Sequence, residues 1–349
     1  MTVEDQTLLI KQTIEKIRSS ETPTILKLRK LFFLRNILTP ESSESICEVL
    51  RDRSITSVLL KHEFAYVLGQ MRMENSKKTL MEVLSNKTAE DILKGNNGEN
   101  AVFEAENDIT RHECAESLGN FHFDADIVKV LQEVMEEQKD NDVLRESCYL
   151  ALKKISEVYS IDAFSDSYNI DRSSNFILED YVSPFGSYDP ALPPLAKYPQ
   201  TLISSLDIND IEAVEKMYAD PSACLYIRYK LMFHLRNLNT KRSAQILGES
   251  LLDERNSKLF KHEVAFCFGQ MTNNYSIPYL SKSLADTHIG SIVRHETAEA
   301  LGNIGDKECL RVLKEFENES DLVVKESVLV GLDVYDYVVS EGRDEYCEA

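Results

Sequence analysis

Internal repetition constrains this 349-residue chain more than any other feature. Lys27-Leu28-Arg29-Lys30-Leu31-Phe32-Phe33-Leu34-Arg35-Asn36 returns as Arg228-Tyr229-Lys230-Leu231-Met232-Phe233-His234-Leu235-Arg236-Asn237, an offset of 201. Lys61-His62-Glu63 returns as Lys261-His262-Glu263 at an offset of 200, and Arg111-His112-Glu113 as Arg294-His295-Glu296 at 183. Leu144-Arg145-Glu146-Ser147 returns as Val324-Lys325-Glu326-Ser327 at 180. The order is the same in both halves, so the chain is a tandem duplication. The drop from 200 to 183 places 17 extra residues in the first half, between His62 and His112. Their expected seat is 85–108, where Lys94-Gly95-Asn96-Asn97-Gly98-Glu99-Asn100 has loop composition.

Within each half, apolar residues spaced by three and four alternate with short polar breaks. The pattern predicts helices near 4–18, 23–37, 42–52, 56–72, 77–94, 109–120, 124–138 and 141–158, then 207–218, 222–238, 242–252, 256–272, 276–286, 291–303, 306–317 and 321–339. Only 12 glycines and 9 prolines occur, and no β-branched alternating run stands out. The expected fold is all-α: an α-solenoid of HEAT-like helix pairs, four pairs per half, with a period of about 33 residues in the second half. The expected organisation is a first half at 1–159, a linker at 160–203 and a second half at 204–349, the halves facing each other. Five of the nine prolines (Pro184, Pro190, Pro193, Pro194 and Pro199) fall in the linker, where neither helical period continues.

A net charge of −20 and a pI near 4.8 exclude a phosphate-backbone binder, so no nucleic acid is expected as partner. That field suits cationic partners, although acidity also serves plain solubility. Seven cysteines without a C-x-x-C pair resemble neither a disulfide framework nor a zinc knuckle. Cys114, Cys148 and Cys267 lie in apolar helical stretches and read as buried thiols. No signal-peptide core and no run of 18 apolar residues appear, so neither secretion nor membrane insertion is expected. The expected location is the cytoplasm.

One phrase occurs four times: basic, His, Glu, any, Ala, any, any, Leu or Phe, Gly, Gln or Asn. It spans Lys61 to Gln70, Arg111 to Asn120, Lys261 to Gln270 and Arg294 to Asn303, and it holds four of the seven histidines. The other helix pairs lack the His-Glu dipeptide, so the repeat itself does not require it. Imidazole with carboxylate suits a borderline divalent metal such as iron, manganese or zinc. Residues i and i+1 lie about 100° apart around a helix, so one helix cannot fill a coordination sphere. Two neighbouring inner helices carrying His62/Glu63 and His112/Glu113 can contribute together, and His262/Glu263 with His295/Glu296 repeat the set. Two metals, one per half, are expected. The Ala and Gly three and seven residues after each His suit close helix packing.

Competing readings are narrower. The zincin pattern H-E-x-x-H fails everywhere, because the fourth residue after each His is Tyr66, Glu116, Phe266 or Glu299. Glu116 and Glu299 suit either a supporting place behind His112 and His295 or a solvated helix face. His122, at a break between helices, His234, aligned with Phe33, and His288, in a loop, read as structural. A HEAT-type scaffold that binds a basic protein without catalysis is the alternative from another class. A two-metal hydrolase, which needs no oxygen, is a third.

The four phrases, with Gly-Gln-Met closing the first of each half and Leu-Gly-Asn the second, resemble the deoxyhypusine hydroxylase family. The similarity extends over nearly the whole chain, including Tyr188-Asp189-Pro190-Ala191-Leu192-Pro193-Pro194. It implies a monooxygenase with two iron ions per chain that uses dioxygen and an external reductant. Its substrate would be the deoxyhypusine side chain of translation initiation factor 5A, converted to hypusine. It implies iron ligation by His62, His112 and Glu113 and by His262, His295 and Glu296, with no catalytic residue beyond the metal centre. Glu63 and Glu263 are implied either as further ligands or as contacts to the substrate amine. Without a nucleotide-binding fingerprint, the electrons must come from outside.

Overall fold

The computed structural model of the chain describes residues 3–87, 107–165, 181–198 and 201–340. The extra loop predicted at 85–108 therefore falls almost wholly outside the described residues. Among those described, regular structure consists of sixteen α-helices, a 3-10 turn at Glu74–Ser76 and an isolated Leu195–Tyr198 bridge. Two compact units emerge, Met1–Pro190 and Ala191–Ala349.

In the first unit the helices are α1 (Val3–Arg18), α2 (Thr24–Ile37), α3 (Pro40–Arg51), α4 (Val58–Met71), α5 (Lys77–Ser85), α6 (Asp108–Leu118), α7 (Ala125–Glu137) and α8 (Asp142–Tyr159). In the second they are α9 (Ile211–Ala219), α10 (Leu225–Leu238), α11 (Lys241–Leu252), α12 (Lys258–Met271), α13 (Ile277–Ala285), α14 (Ser291–Ile304), α15 (Lys307–Glu315) and α16 (Leu322–Val339). Each predicted helix has its counterpart here, but the fifth, expected to run to 94, ends at Ser85, where Asn86 takes a left-handed conformation (φ 55°) and closes it.

Both units are two rows of helices. In the first unit, α2, α4, α6 and α8 pack successively on one another, and α1, α3, α5 and α7 form the second row. In the second unit, α10, α12, α14 and α16 form one row, and α11, α13 and α15 the other. A helix with neighbours on both sides and a second row behind it must be apolar nearly all round. That is the composition of α4, where Leu59, Leu60, Phe64, Ala65, Val67, Leu68 and Met71 are all buried. An outer helix such as α15 instead buries a stripe, Cys309, Val312 and Leu313.

Helix starts follow side-chain chemistry, and the duplication is visible in them. Ser57 accepts from the Leu60 N–H to cap α4, and Ser257 accepts from Phe260 to cap α12. Thr39 with Ser42 and Thr240 with Ser243 close reciprocal capping boxes on α3 and α11. The glycines of the four phrases serve packing. A Cβ on Gly69 would lie 2.8 Å from the Cα of Ser117, and one on Gly302 would lie 2.6 Å from the Cα of Gly331. Only glycine permits α4 to approach α6, and α14 to approach α16, that closely.

Candidate metal centre

The four phrases lie on α4, α6, α12 and α14, which are consecutive inner helices within each unit. The arginines of the second phrase in each unit are structural. The Arg111 Nε–H donates to the Leu84 carbonyl at 2.9 Å, and the Arg294 Nε–H to the Leu284 carbonyl at 2.8 Å. Each arginine thus satisfies an orphan carbonyl at the end of the preceding outer helix. With the glycines packing and the arginines capping, the His-Glu dipeptide supplies the phrase's metal-ligating chemistry.

In the first unit, helix packing brings His62 on α4 against His112 on α6, with ring centroids 5.3 Å apart. His62 Nε2 faces Glu113 Oε2 at 3.4 Å, and His62 Nδ1 lies 3.0 Å from Glu63 Oε1. One ligand atom from each of His62, His112 and Glu113 falls within 4.8 Å of the others. All three side chains are buried, His112 completely. The Ser117 hydroxyl donates to the Ala65 carbonyl on α4 at 2.9 Å and lies 3.5 Å from Glu113 Oε1 on its own helix. Behind His112, Glu116 Oε1 stands 3.5 Å from Nδ1. Glu116 is itself buried, so it does not sit on a solvated face.

The second unit repeats the arrangement. The His262 and His295 rings are 5.3 Å apart, His262 Nε2 faces Glu296 Oε2 at 3.6 Å, and His262 Nδ1 lies 3.0 Å from Glu263 Oε1. Glu299 Oε1 stands 3.7 Å from His295 Nδ1 and accepts from the Ser327 hydroxyl at 3.0 Å. The two interplanar angles, 38° and 39°, show that this is one design used twice.

Burial alone would push the His62 imidazole down, but the Glu113 and Glu63 carboxylates outweigh it and hold the ring well above the usual histidine range. His112 goes the other way: burial, then the charge on His62, drive it down to about 3. Burial raises Glu116 to about 7. Burial and the nearby charge on His62 disfavour a second imidazolium, so His112 keeps a neutral ring with a lone pair to give.

These residues fit a metal ion. Bonds of about 2.0–2.2 Å to nitrogen and oxygen put neighbouring ligands about 3–3.5 Å apart, close to the observed His62–Glu113 spacing. Two imidazoles and one carboxylate, leaving further positions for exogenous ligands, are the donor set of non-haem iron oxygenases. Glu63 and Glu263 occupy a different place, each against the Nδ1 side of its neighbouring histidine. The remaining histidines stay apart from these clusters: the His234 ring lies 3.0 Å from the Ile208 carbonyl, and His122 and His288 lie between helices. Lys154, which the sequence pattern did not single out, is buried within hydrogen-bonding reach of Asn120 at the end of the second phrase. Nothing in its local sequence signals this, because the contact joins segments 34 residues apart.

Comparison with known proteins points the same way. Residues 293–318, around the fourth phrase, match the PBS lyase HEAT-like repeat. The chain is 33% identical over 336 residues to the deoxyhypusine hydroxylase of Drosophila melanogaster, covering 95% of this chain and 94% of that protein. It is 34% identical to the deoxyhypusine hydroxylase of Aspergillus oryzae, covering 98% and 92% of the two chains. The structure of human deoxyhypusine hydroxylase in complex with glycerol superposes with a TM-score of 0.73 at 27% identity, covering 95% of this chain and 97% of that one.

Proposed function

The chain belongs to the deoxyhypusine hydroxylase family, and from that membership we propose that it holds one iron ion in each unit and hydroxylates the deoxyhypusine side chain of translation initiation factor 5A. That it is an enzyme of this kind follows from relatives matched over most of their length and from the shared fold. The observation that carries the metal reading is the first unit's buried cluster of His62, His112 and Glu113, with ligand atoms within 4.8 Å. The ligand sets are His62, His112 and Glu113 in one unit and His262, His295 and Glu296 in the other.

Bound iron supplies the dioxygen chemistry, with electrons from an external reductant, that protein side chains lack. The protein's own residues do the rest. Glu63 and Glu263 each hold a neighbouring imidazole through Nδ1, which directs Nε2 toward the ligand position. The same two carboxylates are the proposed contacts for the cationic amine of the substrate. Glu116 and Glu299 stand behind His112 and His295 in the same supporting geometry. The buried setting limits water at the ligand atoms and strengthens every charge interaction there. No helix among the described residues is long and apolar enough to cross a membrane, and the site of action is proposed to be the cytoplasm.

The deciding experiment is mass spectrometry of the deoxyhypusine-bearing factor after incubation with iron-loaded protein, reductant and air. The factor should gain one oxygen atom, and the gain should disappear without oxygen and in Glu113→Gln. An unchanged mass with protein that binds iron would leave the catalytic proposal without support. Full iron content in both His62→Ala and His295→Ala would overturn the ligand assignment.

A further inference from the structure

The phrase ends on an amide, Gln70, Asn120, Gln270 or Asn303, and the metal reading leaves that amide without a task. In the first unit it has one. The Tyr188 N–H donates to Gln70 Oε1 at 3.0 Å, and the Arg72 guanidinium lies over the Tyr188 ring, 4.7 Å from its centroid. One residue further along, the Asp189 carbonyl accepts from Lys154 Nζ at 2.7 Å, and the same Nζ donates to Asn120 Oδ1. The segment is braced internally: the Ser187 hydroxyl donates to Asp189 Oδ1 at 2.7 Å and lies 2.8 Å from the Ser183 hydroxyl. Ser183, Ser187, Asp189, Asn120 and Lys154 are all at least nine-tenths buried.

Gln70 and Asn120 each follow their histidine by eight residues, about 12 Å along a helix. The segment 181–190 therefore bridges the C-terminal ends of α4 and α6, the two helices whose ligands must meet, and Lys154 on α8 is the bolt. Burying an amine is costly unless its hydrogens are taken up. Burial pulls Lys154 down to about 7, and the Asn120 and Asp189 oxygens are its acceptors. At the position equivalent to Lys154 the second unit has Val334, which cannot make this clamp. There Gln270 Oε1 accepts from Arg236 Nη1 at 2.7 Å, a tie between two helices.

We propose that Lys154 is a positioning residue for the first unit's metal cluster, clamping segment 181–190 across the ends of α4 and α6 so that His62 and His112 stay at ligating separation. This rests on the metal reading above. The effect is confined to the first unit, because the second has Val334 in place of Lys154.

The test is cobalt(II) titration of metal-free full-length protein, comparing wild type, Lys154→Met and Lys154→Arg. His112→Ala and His295→Ala assign each binding step to a unit. In Lys154→Met the first-unit step should weaken about 10- to 100-fold, the usual cost of losing a group that supports a ligand, while the second-unit step stays unchanged. Lys154→Arg should restore most of the loss. Equal weakening of both steps would reduce Lys154 to general stability, and unchanged binding would remove its role; either overturns the proposal. Absence of cobalt binding in wild type would instead sink the metal reading itself. Should Lys154→Met fail to fold, hydrogen exchange on wild type decides. Metal and clamp are linked, so cobalt should slow exchange of the Tyr188 N–H, and no slowing overturns the proposal.

Discussion

At Gly302 the backbones of α14 and α16 come into direct contact, so the first question at the residue scale is volume. Gly302→Ala would place a methyl group 2.6 Å from the Gly331 Cα, where backbone rather than a flexible side chain must yield. Overpacking of this kind costs about 1–3 kcal/mol, and thermal unfolding should show a lower Tm for Gly302→Ala than for wild type. An unchanged Tm would mean that the helices can part freely. The residue scale was largely legible in the sequence. His62, His112, His262 and His295 were picked out by recurrence, and the structure places them in pairs 5.3 Å apart. Lys154 was not legible, because a lysine on a helix is ordinarily a solvated residue and only its surroundings make it otherwise.

Helix pairs form the next scale, and here the charge state of the site depends on neighbours. In the metal-free protein, Glu113 from α6 and Glu63 from α4 raise His62. A group held higher in the folded than in the unfolded state stabilises the fold fully below its unfolded value, about 6.5 for histidine. That stabilisation is lost as pH rises through the folded value. A divalent cation and the Nε2 proton compete for the same place, so metal uptake should release a proton and strengthen with pH. Titration between about pH 6 and about pH 8 should show affinity rising up to about tenfold per pH unit for each proton displaced. Flat affinity with no proton release would show that His62 is not a ligand. The helices themselves were readable from apolar spacing, because inner and outer rows demand different patterns. The segment at 181–190 was not: its prolines and polar residues read as a linker, yet Ser183, Ser187 and Asp189 are buried in the first unit.

Over the whole molecule, charge is the dominant property. A net charge of −20 creates a field that favours encounter with cationic molecules. Raising ionic strength from about 0.01 M to about 0.15 M shortens the screening length from about 30 Å to about 8 Å. For the proposed substrate, kcat/KM should therefore fall across that range while kcat stays nearly constant. A drop in kcat alone would point to an effect on the metal cluster instead of on encounter. The duplication also operates at this scale: two units repeat one cluster geometry, yet their helix ends are tied by different residues.

The sequence by itself determined the helical class, the tandem duplication, the helix order and the residues of the four phrases. Each of these is written in local periodicity or recurrence, which survive without coordinates. Tertiary structure alone decided the division of labour inside each phrase. Whether a glycine is needed depends on how near another backbone comes, and whether an arginine caps depends on which carbonyl lies across from it. The same holds for the place of Glu63 beside Nδ1, for the place of Glu116 behind His112, and for the burial of Lys154. These are distances between residues far apart in the chain, and packing sets them.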